Sequence, residues 1–286
     1  PVAGRELAIY HRAANNANVF QQYLASFFAG EAESLLYGGG VGYDSDLERF
    51  VVFAADDDGL LYAISDAADP TADPDNDGSS FSEKAKIDLP AGLFSGTRRF
   101  GWNADAQVIS MGTYSNISRS FASHVDTTLF IIDKSSLVDA SPGINATTLG
   151  LPDHLRFAVP AVMHGASSGD SLWLVGRSID ASPTHVSVIE VSNLLTTMDV
   201  ADYDMVDAAV AGYDDADQPG NKDIALFGPA FRSAQWRDGR LVTAAHGQSL
   251  SDPAESDVFW YEFDTTSASP AVAQTGVVDP GQGVWA

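Results

Sequence analysis

The sequence predicts an all-β protein and, within that class, a β-propeller of four-stranded antiparallel blades. Three observations carry this expectation. The apolar runs are short, rich in β-branched and aromatic residues, and bounded by Gly, Asp, Asn and Pro, which is strand-and-turn chemistry. Helical periodicity is confined to residues 19–28 and 191–198, enough for a turn or two. One pattern, a hairpin followed by a third strand, recurs four times along 286 residues. A repeat of that kind marks a radial array of small sheets.

The hairpins come first. They occupy residues 43–54, 102–112, 164–176 and 236–245. Each is a strand end, a tight turn of Asp, Asn or Gly, and a second apolar strand. Those turn residues tolerate the positive φ that short hairpin loops require. A third strand follows each hairpin: Leu60-Leu61-Tyr62-Ala63-Ile64, Thr128-Leu129-Phe130-Ile131-Ile132, His185-Val186-Ser187-Val188-Ile189 and Asp257-Val258-Phe259-Trp260-Tyr261. The opening segment Leu7-Ala8-Ile9-Tyr10-His11-Arg12 matches the same third position. Measured between the first residues of these strands, the period runs from 53 to 72 residues. Fourth strands are expected at residues 85–89, 147–151 and 271–278.

A β-sandwich also spaces its strands evenly, but it does not repeat one hairpin-plus-strand order. Five repeats are legible, the first incomplete. The chain opens inside one unit and stops at Val284-Trp285-Ala286, after the last strand of another. The expectation is a single propeller domain over residues 1–286, truncated at one or both ends and belonging to a larger ring.

Composition excludes several function classes. The chain has 31 Asp and 8 Glu against 11 Arg and 4 Lys, a net charge of −24, and no cysteine. A nucleic-acid binder needs a basic footprint to displace counterions, and this chain has none. Attachment to anionic lipid through basic residues fails on the same count. Disulfides and thiolate metal sites are impossible. A hydrophobic content of 45% is ample for a core, which argues against disorder. No run reaches the ~18 apolar residues of a membrane span. An Asp-rich, Lys-poor surface suits saline or extracellular water, where carboxylates stay hydrated and their repulsion is screened.

Several phrases go together. Gly42-Tyr43-Asp44 leads to Arg49-Phe50-Val51-Val52, then to Leu61-Tyr62-Ala63-Ile64-Ser65 and Asp69-Pro70-Thr71. Gly101-Trp102-Asn103-Ala104-Asp105 leads to Phe130-Ile131-Ile132-Asp133-Lys134. Gln235-Trp236-Arg237-Asp238-Gly239-Arg240-Leu241 leads to Trp260-Tyr261-Glu262-Phe263 and Gln274-Thr275-Gly276. Together these resemble a group of secreted bacterial β-propeller proteins, often modules of large cell-surface chains. The resemblance spans most of the sequence, and its motifs are structural. It implies a further blade after the Gln274-Thr275-Gly276 strand and no particular catalytic residue. The Asp-Pro-Arg that usually precedes the first hairpin in that group is here Gly38-Gly39-Gly40-Val41-Gly42.

One motif points to an ion. Asp73, Asp75 and Asp77 alternate along Asp73-Pro74-Asp75-Asn76-Asp77-Gly78-Ser79. Calcium takes six to eight hard oxygens, and alternate residues of a tight loop turn their side chains inward together. Gly78 allows the sharp turn, and the backbone carbonyl of Ser79 is the next expected ligand. The twelfth position carries Lys84, with Glu83 beside it, so this is a loop clip and not an EF-hand. The competing reading is a solvated acidic loop. Residues 214–223 have enough oxygens without the regular spacing, and residues 56–59 read most simply as a hairpin turn.

Catalytic motifs are missing. There is no Gly-x-Ser-x-Gly elbow, no His-Glu-x-x-His and no phosphate-binding Gly-rich loop. His11, His124, His154, His164, His185 and His246 are scattered. A glycosidase would use a carboxylate pair, and 39 acids leave the pair unselected. Arg98, Arg99 and Arg232 precede equivalent hairpins, so with Trp102 and Trp236 they are candidate ligand-binding residues at one level of the ring. Arginine forks recognise the carboxylates of sugar acids or peptides. The alternative is that each Arg pairs with a nearby Asp and each Trp fills space between blades.

The sequence therefore points to a secreted or surface-exposed, calcium-binding, non-catalytic propeller module for adhesion, matrix assembly or polymer binding. Its partner would be a polysaccharide or a protein surface, with no nucleic acid and no membrane insertion. A carbohydrate-active hydrolase or lyase with an axial-cleft site is the alternative. A structural subunit joining others into an extracellular homo-oligomer or filament is a further one.

Overall fold

The computed structural model describes residues 6–11, 17–29, 37–56, 59–72, 80–81, 83–89, 94–114, 124–138, 144–152, 154–178, 185–209, 231–249 and 256–279. Their regular structure is almost entirely strand. Packing divides the chain into two compact units, residues 1–98 with 111–148, and residues 99–110 with 149–286.

In the first unit, β1 (Glu6–His11) and β2 (Ala17–Tyr23) form an antiparallel hairpin. The chain then turns through α1 (Leu24–Phe27). The expected helical stretch is thus half strand and half one-turn helix. A four-stranded antiparallel meander follows: β3 (Tyr37–Asp44), β4 (Arg49–Ala55), β5 (Gly59–Ile64) and β6 (Glu83–Asp88), in that spatial order. β5 is buried along its whole length, as its unbroken apolar run requires. Leu24, Phe27 and Phe28 pack with Val52, Ala54, Leu61, Ala63 and Phe81 in one core cluster. Phe27 meets Phe28 and Phe81 edge-on at 4.9 and 5.2 Å, the geometry aromatic quadrupoles favour. Lys84 lies over the Phe27 ring at 4.5 Å and donates to the Phe27 carbonyl.

Two buried ion pairs reinforce this unit. Lys86 reaches the buried Asp56 at 3.0 Å. Lys134 lies 3.2 and 3.0 Å from the two oxygens of Asp44, which is wholly buried, and 3.0 Å from Asp46. Asp44 Oδ1 also accepts the backbone N–H groups of Asp46 and Leu47, so it forms the first hairpin turn as well as the ion pair. Burial, then the Asp44 charge, raise Tyr62 well above the usual tyrosine range.

Four strands give a second meander: β7 (Phe94–Trp102), β8 (Ala106–Tyr114), β9 (His124–Asp133) and β10 (Ala146–Leu151). The short α2 (Ser135–Val138) follows β9. Within the second unit lie two further antiparallel meanders. One is β11 (Leu155–His164), β12 (Leu172–Ser178), β13 (His185–Ser192) and β14 (Asp199–Ala209). The other is β15 (Phe231–Arg237), β16 (Arg240–Gln248), β17 (Ser256–Asp264) and β18 (Ala271–Val278).

The first strands of consecutive meanders run parallel, β11 against both β7 and β15. Antiparallel four-stranded meanders whose first strands stand side by side in parallel are the blades of a β-propeller. All four hairpins and all three expected fourth strands are present. β14 is a fourth strand that local pattern did not single out. Residues 191–198 do not form a helical turn: β13 runs to Ser192, Asn193 takes φ +54°, and Thr196 N–H closes a turn on the Asn193 carbonyl.

Candidate functional site

The hairpin turns of the second unit are built by side chains that replace backbone partners. Asn103 Oδ1 accepts the N–H groups of Asp105 and Ala106, while its amide donates to the Asp170 carbonyl at 2.7 Å. Asp105 accepts the N–H of Gly169, and Asp170 accepts that of Ser167. The turn after β7 is thereby latched to the turn after β11. In the last blade, Trp236 Nε1 donates to Thr265 Oγ1 at 2.8 Å, and that hydroxyl donates to the Gly239 carbonyl at 3.0 Å. Gly239 has φ +79° between β15 and β16, a conformation that suits glycine. These latches fix the ends of the first strands.

The three parallel strands then set a common level. Val162 of β11 pairs with Trp102 on one side and Gln235 on the other. Arg99 lies three residues before Trp102, and Arg232 lies three before Gln235. Burial, then the charge of Arg232, lower Arg99 below the usual arginine range. Arg99 Nε points to the Phe231 carbonyl at 3.5 Å. Arg232 is exposed, and no described carboxylate lies within ion-pair distance of it. Gly101 allows β7 to approach β11 this closely: a Cβ there would stand 2.5 Å from the Ala161 carbonyl oxygen and 2.6 Å from that of Pro160.

An open polar strip follows β15. Arg232, Ser233, Gln235 and Arg237 are all exposed, and His164 of β11 is exposed beside them. His164 Nε2 is 3.1 Å from Gln235 Oε1. Arg237 has a loose contact with Asp238, at 3.8 Å. From Arg232 to Arg237 the strip is about 17 Å long at the usual rise per strand residue. In a chain of net charge −24, it is a local reversal of sign.

The sequence candidates fall as follows. Arg99, Arg232, Trp102 and Trp236 all lie on the parallel first strands of the second unit. Trp102 is 5% exposed and meets the Phe100 and His164 rings at 5.4 and 6.1 Å. Trp236 is half-buried and tied to Thr265. The side chain of Arg98 lies outside the described residues, as do Asp73, Asp75, Asp77, Ser79 and residues 214–223. Among the described residues, no three His, Cys, Asp or Glu side chains are grouped to hold a metal. Sequence reasoning did not select His164, Ser233, Gln235 or Arg237. The available signal was their position in the hairpin alignment, where His164 and Arg237 stand immediately before two equivalent turns.

No family model and no curated protein matches this chain. Among solved structures it is similar to a GH43 β-1,3-galactosidase, with a TM-score of 0.44 and 12% identity over 86% of this chain and 46% of that one. The chain thus spans under half of that protein. At this level the likeness carries no argument about activity. Among the described residues, no helix is long and apolar enough to cross a membrane.

Proposed function

We propose that this protein is a carbohydrate-binding propeller module that holds a polymer along the strip formed by β15 and its parallel neighbour β11. The observation that carries the reading is the run of exposed hydrogen-bonding side chains Arg232, Ser233, Gln235 and Arg237, with His164 alongside. A strip about 17 Å long suits several joined sugar units better than one small molecule. The arginines donate, while Ser233 and Gln235 both donate and accept, which suits polyhydroxylated ligands. Secretion or surface display, and a calcium ion held by Asp73, Asp75, Asp77 and Ser79, complete the proposal and rest on composition and motif.

The binding test is affinity electrophoresis against a panel of neutral and acidic polysaccharides, followed by calorimetry on any that retard the protein. Retardation by at least one polymer, reduced by Gln235→Ala, is the expected result. No retardation by any of them would overturn the reading. The same incubations, assayed for new reducing ends or unsaturated products, separate binding from the alternative of a hydrolase or lyase. Turnover would replace the non-catalytic reading with the enzymatic one.

A further inference from the structure

We propose that His164 and Arg237 form a pH-dependent carboxylate subsite at the end of the strip, which deepens the carbohydrate reading above and rests on it. The ligand class is an acidic polysaccharide, held more tightly as the pH falls. His164 of β11 lies directly opposite Arg237 of β15, and Val162 lies opposite both Gln235 and Trp102. Alternate residues of a strand share a face, so His164, Gln235 and Arg237 stand together on one side of the sheet. All three are exposed. The Trp102 ring meets the His164 ring edge-on at 6.1 Å and flanks it from β7.

One hydrogen bond fixes what His164 presents. Its Nε2 lies 3.1 Å from Gln235 Oε1. An amide oxygen only accepts, so Nε2 carries a proton and donates. Nδ1 then holds a lone pair when the ring is neutral and an N–H when the ring is charged. Neutral His164 offers an acceptor to a sugar hydroxyl, and protonated His164 offers a charged donor to a carboxylate. Histidine is the side chain that ordinarily makes this change between pH 5 and 8. The charged groups on the elements around it are Arg237, Asp238, Asp105 and Asp170. Asp105 and Asp170 already accept the backbone N–H groups of Gly169 and Ser167. Asp238 stands 3.8 Å from Arg237, beyond hydrogen-bond length, and the two side chains are 88% and 79% exposed. The guanidinium fork of Arg237 is therefore open to a ligand carboxylate, and the planar fork matches that group. By itself Arg237 opposes a charge on His164. A carboxylate bound between them favours that charge, so binding takes up a proton.

The experiment titrates the full chain calorimetrically at ~0.15 M salt, where the Debye length is about 8 Å and the overall negative charge is well screened. The probes are polygalacturonate and the same polymer fully methyl-esterified. Each is measured at about pH 7.5 and about pH 5.5, on either side of the ordinary histidine titration. His164→Gln and Arg237→Gln are titrated in parallel. The parent should bind polygalacturonate at least about threefold more tightly at the lower pH, as one exposed charge-assisted contact implies. It should bind the ester alike at both. His164→Gln should flatten the profile and abolish proton uptake, read from the dependence of the binding heat on the buffer's ionisation heat. Arg237→Gln should bring the acid toward the ester at both pH values. Both side chains are exposed, so either substitution leaves folding intact. A parent with no pH dependence, or a dependence that survives His164→Gln, would overturn the role of His164. Acid and ester bound equally, or neither bound while a neutral polymer binds, would overturn the subsite and leave the carbohydrate reading standing. Binding of neither, nor of any neutral polymer in the panel, would overturn the carbohydrate reading itself.

Discussion

Replacing Lys134 with Met should destabilise the protein more than any surface charge change. Lys134 is 4% exposed and lies 3.0 Å from Asp44, whose side chain is fully buried. Lys134→Met keeps the apolar stem and leaves the carboxylate of Asp44 without its cation. Removing one partner of a buried pair costs about 3–5 kcal/mol, because the remaining charge is stranded. Asp44 keeps the N–H groups of Asp46 and Leu47, at 3.0 and 3.3 Å, which places the loss near the lower end. Asp46 is the internal control. It also contacts Lys134, at 3.0 Å, but is 41% exposed, so Asp46→Asn should cost under about 1 kcal/mol. The double change Asp44→Asn with Lys134→Met should recover most of the loss, since Asn keeps the oxygen that accepts the turn N–H groups and carries no charge. Urea unfolding followed by tryptophan fluorescence and circular dichroism together measures each midpoint and tests for a shared transition. A Lys134→Met unfolding free energy within about 0.5 kcal/mol of the parent, or a double variant weaker than the single, would refute the reasoning.

Other outcomes follow from the same structure. Gly101→Ala should lower the unfolding free energy measured in urea by about 1–3 kcal/mol, because its Cβ would meet β11 backbone and not a yielding side chain; an unchanged value would show that β7 and β11 are not held this close. Burial pushes the Tyr261 hydroxyl up to about 12 and Tyr62 well above its usual range. An unfolded chain releases those protons near pH 10 while the folded one keeps them, so stability should fall as pH rises from about 10 toward 12. Phenolate absorbance should show these two tyrosines ionising last, and a single titration of all nine near pH 10 in the folded protein would contradict their burial. If calcium binds Asp73, Asp75, Asp77 and Ser79, millimolar calcium should raise the melting temperature and chelator should reverse it, since a ligand bound only by the native state stabilises it. No shift in either direction would remove the ion.

The strands were legible because their signal is local. Each hairpin carries its own turn residues, as Asn103 and Gly239 show by closing turns with their own oxygen or positive φ. β14 was missed because Asp199, Asp202, Asp204 and Asp207 interrupt it, although it pairs with β13 along most of its length. The helical expectation at residues 191–198 failed because a positive φ at Asn193 closes a turn there instead.

The sequence by itself determined the hairpin-plus-third-strand repeat, and with it the blades, since short apolar runs and turn chemistry act between near neighbours. It also placed Arg99 and Arg232 before equivalent hairpins. Only the tertiary structure decided that β7, β11 and β15 stand side by side in parallel, with Arg99 reaching the Phe231 carbonyl next to Arg232. It alone joined Lys134 to Asp44 across a separation of 90 residues. Contacts of that span leave no periodic trace along the chain. They are set by packing between segments that meet only once the blades are assembled.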